Sequence, residues 1–235
     1  MDISALRSMI EAGLRAARTV PTGSTSAMLE HRARSRAWIE ALASAFQQTH
    51  AAEPDVRVFY QSNPANRRDF GLNELLHDIT VARQGTVLVP RHNKPLSYIR
   101  EVLWQIESEL ARDGREALFD FNKLVLGAAR HKLFVAPDVH RPDAFLRTLL
   151  APAKACMGRV FLSIVPHPDR WEEPAVAVRL WQLDGDRWVE HQASPAGDVQ
   201  LTTRLRRAAL PPNSTLPPTA TIAARPSSGR RARSP

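Results

Sequence analysis

The chain has 235 residues, 43% of them hydrophobic, enough to bury one sizeable core, so one domain with appendages is expected. Its 32 basic residues outweigh 24 acidic ones, and a formal net charge of +8 points to a polyanionic partner such as nucleic acid. A single cysteine, Cys156, excludes an intramolecular disulfide framework and a cysteine-rich zinc site. Part of the positive balance belongs to the C-terminal end, where no acidic residue follows Asp198 and Arg225, Arg230, Arg231 and Arg233 cluster. The first residues carry Asp2 and Glu11 and lack an uninterrupted apolar run, so no secretory signal is expected there. No apolar stretch approaches the ~20 residues that span a bilayer, and a soluble, cytoplasmic protein is the expectation.

Ile3, Leu6, Ile10 and Leu14 recur at three- and four-residue spacing, which predicts an amphipathic helix over residues 2–18, started by Asp2 or Ser4. PTGSTS (21–26) reads as a turn. A second helix is expected from about Ser26 to His50, with Met28, Trp38, Ile39, Leu42 and Phe46 on its apolar side. Its Arg32, Arg34 and Arg36 could meet phosphates or simply form a solvated face. VRVFYQ (56–61) reads as a strand, and SNPANRRDFG (62–71) as a polar loop carrying Arg67 and Arg68. LLHDITVA (75–82) follows as a strand around Asp78, and QGTVLVP (84–90) continues towards a hairpin partner. RHNKPLSYIR (91–100) reads as a groove-facing loop, so Arg91 and Lys94 join Arg67 and Arg68 as candidates for contact with nucleic acid.

EVLWQIESE alternates with period two, Val102, Trp104 and Ile106 on one face and Leu103, Gln105, Glu107 and Glu109 on the other, as a strand does. A helix is expected from about Gly114 to Arg130, buried along Leu118, Phe121, Val125 and Ala128. KLFVAP (132–137) and RVFLSIVP (159–166) are apolar apart from Lys132, Arg159 and Ser163, the pattern of strands buried in mid-sheet. Between them AFLRTLLAPAKACM reads as a helix that Pro152 should kink or split. AVAVRLWQLDGDRWVEH (175–191) reads as a hairpin turned at Asp184-Gly185-Asp186. From about Gln192 the pattern gives way to a proline-, serine- and arginine-rich stretch, expected to be disordered. The domain plan is therefore an N-terminal helical region (1–50) packed on an α/β domain (51–191), with a tail (192–235). The fold class is an α/β three-layer sandwich, a central mixed sheet flanked by helices.

The chemistry concentrates in acids. Glu107 and Glu109, two apart on a strand, project the same way about 7 Å apart. If the Asp78 strand pairs beside them, three carboxylates converge on one spot. Such a group repels itself unless a cation sits within it, and hard oxygen ligands suit magnesium, with manganese as substitute. Glu74 could add a ligand at the edge. Asp78 lies in an otherwise apolar run, where a carboxylate needs a partner. Acids at strand ends are otherwise commonly solvated, and Lys123, three residues after Asp120, has a surface helix pair as its ordinary role. No GxxxxGK[ST], GxGxxG or GxSxG motif is present, and His77, His131, His140 and His167 lack zinc-ligand spacing.

An acidic residue mid-strand, a hairpin return, paired acids closing the next strand and then a helix: this arrangement over residues 51–137 resembles the PD-(D/E)XK nuclease superfamily. The resemblance implies a restriction endonuclease-like core with Asp78 in the first metal-binding position and Glu107 in the second. Glu109 falls where that superfamily places a lysine. Variants with Glu-X-Glu there, or with a lysine recruited from the following helix, would make Lys123 the counterpart. What the resemblance implies is Mg²⁺-dependent hydrolysis of DNA phosphodiester bonds in restriction-like defence or processing. Dimerisation through the N-terminal helices would let both strands be cut. A catalytically silent module that binds nucleic acid or a partner protein is the alternative.

Overall fold

The computed structural model describes residues 2–19, 26–91, 93–173 and 177–192. Helix α1 (Ile3–Arg18) begins where the Asp2 carboxylate accepts the Ile3 N–H at 2.8 Å. Its Leu6, Ile10 and Leu14 stripe faces Trp38, Leu42 and Phe46 of α2 (Ala27–Thr49) in one buried cluster. The two helices meet closely at Gly13, where a Cβ would stand 3.3 Å from the Leu42 backbone.

Together they cover one face of a seven-stranded mixed sheet whose strands lie in chain order. These are β1 (Val56–Phe59), β2 (Ile79–Val89), β3 (Lys94–Ser108), β4 (His131–Pro137), β5 (Arg159–Val165), β6 (Arg179–Asp184) and β7 (Arg187–His191). Only β3–β4 and β4–β5 are parallel, because only there does a helix carry the chain back: α4 (Gly114–Leu126) and α5 (Pro142–Ala155). Alternation in the central strands divides the interior. Leu133 and Val135 face the α1–α2 layer, while Phe134 and Ala136 join Phe121 of α4 and Leu149 of α5. The result is the α/β three-layer sandwich that the element order predicted.

Several expectations are corrected. The polar stretch at 62–71 contains a short helix, α3 (Pro64–Phe70). Asn63 caps it on the Ala65 N–H, Pro64 opens it, and Gly71 closes it with φ of 89°. Residues 94–100 of the expected loop are strand, since β3 begins at Lys94 and pairs with β2 out to Val89. The outer half of that hairpin, Gln84–Val89 against Lys94–Ile99, touches neither β1 nor β4 and stands as a two-stranded ribbon. Two register shifts bend it where it leaves the sheet, and at the first of them Leu103 turns to the same side as Trp104. Helix α4 ends at Leu126 rather than Arg130, and its buried stripe is Ala117, Phe121 and Leu124. Helix α5 runs through Pro152 without splitting, ending three residues later.

The expected turn at 21–25, the first residues of the C-terminal hairpin (175–176) and the tail beyond Gln192 lie outside the described residues. Among the described residues no helix is long and apolar enough to cross a membrane.

Candidate active site

Antiparallel pairing of β2 with β3 sets Ile79 opposite Ile106, so the start of one strand lies beside the end of the other. Both isoleucines face the α1–α2 core. The alternate residue on β3, Glu107, therefore points to the opposite layer, where α4 crosses. Asp78 is the residue just before β2 rather than a mid-strand position, because its carboxylate Oδ2 accepts the Ser108 N–H at 2.9 Å in place of a ladder bond. His77 is buried, and its Nε2 donates to the Lys123 carbonyl at 3.0 Å, tying α4 to the entry of β2. That contact holds Lys123 over the acids.

Glu107 is fully buried. One oxygen, Oε2, accepts from Lys123 Nζ at 3.2 Å, while Oε1 has no hydrogen-bond partner. Burial, and then the charge of Asp78, push its carboxyl up to about 8 against the pull of Lys123. At neutral pH Glu107 therefore holds a proton. Asp78 is also raised, by burial first, with the Ser108 N–H and Lys123 opposing. Lys123 stands 2.7 Å from Asp120 as well. Burial works against its charge, yet the Asp120 and Glu107 contacts together hold it above the ordinary lysine range. Its helix-pair role and its site role are thus one arrangement.

Glu109 does not join the group as expected. The strand ends at Ser108, so alternation no longer governs the next residues. Its backbone N–H donates to Val135, and its carboxylate accepts the Ala111 N–H. Burial, and a hydrogen bond with Asp120, raise its carboxyl above the usual range. Among the described residues no three His, Cys, Asp or Glu side chains are grouped so as to hold a metal ion. This corrects the three-carboxylate expectation. What remains is a carboxyl pair, Asp78 and Glu107, with Lys123 between it and Asp120. The orphaned, dehydrated Glu107 Oε1 fits a hard cation as one carboxylate ligand, with Asp78 as the second.

Beside Asp78 opens a cavity of about 320 Å³. Helix α2 lines it with Arg32, Ser35 and Arg36, and the sheet side contributes Glu74, Asp78 and Ser108. Glu74 is exposed at this edge. The wall is anchored at Trp38, whose indole N–H donates to Ser108 Oγ at 2.8 Å. Arg67 and Arg68 are exposed on α3, with Arg68 held by Asp69 at 2.8 Å, and neither lines the cavity. Arg91 and Lys94 lie at the ribbon tip, the far end of β2 from Asp78 and about 35 Å away by strand rise. They are not part of this site.

Sequence reasoning missed Ser108 and the site role of Asp120, and it offered Arg32, Arg34 and Arg36 for phosphate contact without placing any of them on a wall beside Asp78. In the sequence Asp120 shows only as a helix neighbour of Lys123, and the wall depends on which way α2 rolls against the sheet. Comparison with family models, with curated proteins and with solved structures finds no match to this chain.

Proposed function

We propose that the chain is a magnesium- or manganese-dependent DNA endonuclease whose working groups are Asp78, Glu107 and Lys123. One observation carries the reading: Glu107 is wholly buried, one oxygen on Lys123 and the other bare, next to a second dehydrated carboxyl. A structural acid at that depth would have both oxygens satisfied, or would be replaced by an apolar residue. Asp78 and Glu107 would hold the cation, with Glu74 at the rim. When bound, the cation supplies a Lewis acid for the scissile phosphate and a water of lowered pKa. Glu107 would have to lose its proton to hold the cation, so metal uptake would be tighter at higher pH. Lys123 stays protonated beside the Asp120 carboxylate, which unsuits it as a base and suits it to offset charge that builds on phosphorus. The net charge of +8 favours a polyanionic substrate. Cutting both strands would take a pair of such sites, hence a homodimer in restriction-like defence or processing.

The test is supercoiled plasmid with Mg²⁺ or Mn²⁺, run beside Asp78→Ala, Glu107→Gln and a chelator control. Nicking by wild type alone is the expected result. Intact plasmid in every metal would reject the enzyme reading. The second reading, a silent nuclease-like module that binds nucleic acid, is favoured by one feature: among the described residues no three acids are grouped so as to hold a metal ion, and the Glu109 carboxylate is taken up by the Ala111 N–H.

A further inference from the structure

We propose that Arg32 and Arg36 of α2 form a phosphate clamp that holds the nucleic-acid backbone across the cavity beside Asp78; this rests on reading that corner as the phosphodiester site. Three arginines alternate on this helix, and the structure sorts them. Arg34 is committed, donating to the Pro168 carbonyl and paired with Glu30 at 2.6 Å and Glu172 at 2.8 Å. Arg32 and Arg36 are exposed, have no ion-pair partner among the described residues, and line the cavity that Asp78 also lines.

Four residues apart on a helix, the two cations stand about 6 Å apart along its axis, on one face. The sheet side of the same cavity carries acids, Glu74 and Asp78, and the hydroxyl-bearing Ser35 and Ser108 line it as well. A cavity with cations on one wall and carboxylates on the other suits an anion that brings a metal ion with it. A bare cationic peptide would meet the arginines, and a bare anion would meet the acids. A phosphodiester with its divalent ion satisfies both walls. Arginine supports this better than a diffuse positive field does, since its planar fork donates two hydrogen bonds to one phosphate.

The experiment is equilibrium binding of a labelled DNA duplex to the full chain by fluorescence anisotropy, in Ca²⁺, over a salt series. Arg32→Ala/Arg36→Ala should weaken binding by at least about tenfold. It should also lower the slope of log affinity against log salt by about 2, near 0.9 for each phosphate no longer neutralised. Arg32→Lys/Arg36→Lys should keep most of the slope. Arg141→Ala/Arg147→Ala, the same charge change at two exposed positions on and before α5, should leave the slope unchanged. All four arginines are exposed, so a thermal melt should match wild type for each variant. Equal losses in the α2 and α5 variants, no loss in the α2 variant, or no DNA binding by wild type would each overturn the clamp. Wild type that binds with this arginine dependence yet leaves plasmid intact would sustain the clamp and reject catalysis. Wild type that cuts, with the α2 variant binding and cutting equally well, would reject the clamp alone.

Discussion

Strand β3 is one continuous element with two unlike halves. From Trp104 to Ile106 it pairs with both β2 and β4, with helical layers on both faces, and its side chains from Leu103 to Glu107 are buried. From Lys94 to Tyr98 it pairs with β2 alone and every residue is exposed. Both halves carry apolar and polar groups in similar proportion. The difference is the company: a carboxyl in the inner half is pushed up to about 8, whereas Lys94, the one cation of the outer half, is exposed. A polar group is perturbed where neighbouring strands and helices strip solvent from it, and the same residue types outside that shelter keep their ordinary hydration.

The largest effect should separate the halves by activity. Glu107→Gln is expected to lower plasmid nicking by roughly a thousandfold, several kcal/mol of metal-assisted stabilisation. Arg91→Ala/Lys94→Ala at the ribbon tip should change it less than about twofold, since surface charges this far off are screened. Initial rates in Mg²⁺ decide it, and a tip variant as weak as Glu107→Gln would show that the ribbon enters the reaction.

Next comes pH. The Glu107 carboxyl is raised in the fold from an ordinary 4.5 to about 8. Below about 4.5 both folded and unfolded chains hold the proton and its contribution to stability is whole. Between the two values the unfolded chain has released it while the folded chain keeps it, so the contribution shrinks as pH rises and is gone above about 8. Urea melts of metal-free protein should lose on the order of a few kcal/mol across that window. Glu107→Gln should flatten the loss, and Mg²⁺ should restore stability most at the alkaline end, where no proton competes. A wild-type curve that stays level would sink the assignment of Glu107 as a neutral acid.

Two glycines then sharpen the contrast in packing. At Gly127 a Cβ would fall 1.9 Å from the amide of Gln105, an inner-half residue that is buried and accepts the Ala129 N–H. Gly127→Ala should cost about 2 kcal/mol in a denaturant melt, because the amide can move only by losing that bond. At Gly85 the obstacle is the Tyr98 ring at 2.6 Å, but that ring is 45% exposed and can swing into solvent. Gly85→Ala should stay within about 0.5 kcal/mol of wild type. Smallest of all on activity is Glu109→Ala, expected within about threefold of wild type, with about 1 kcal/mol of stability lost from the Ala111 N–H. A loss rivalling that of Glu107→Gln would return Glu109 to the reacting centre.

What is legible in the sequence follows the same division. KLFVAP and RVFLSIV declare themselves because strands buried on both faces read as near-continuous apolar runs. Asp78 and Glu107 stand out for the same reason, as acids in runs that are otherwise buried. The ribbon reads as a loop because Lys94 and Pro95 look like breakers, and a strand with no neighbour on one side tolerates both. Helix α3 is only seven residues long, too short for its periodicity to be detected, although Asn63-Pro64 and Gly71 mark its ends. Extending a period past the residue where the strand stops misplaces Glu109. Arg34 is indistinguishable in sequence from Arg32 and Arg36, since their sorting depends on Glu172 and Pro168, more than 130 positions away.

The Trp38 indole donates to the Ser108 hydroxyl, and the Ser108 amide donates to Asp78. Roof and acid are consequently wired through a single residue, so α2 cannot lift without loosening the carboxylate beneath it. A chain trimmed to its α/β strands and crossover helices would keep every acid and still lose the scaffold that aims one of them.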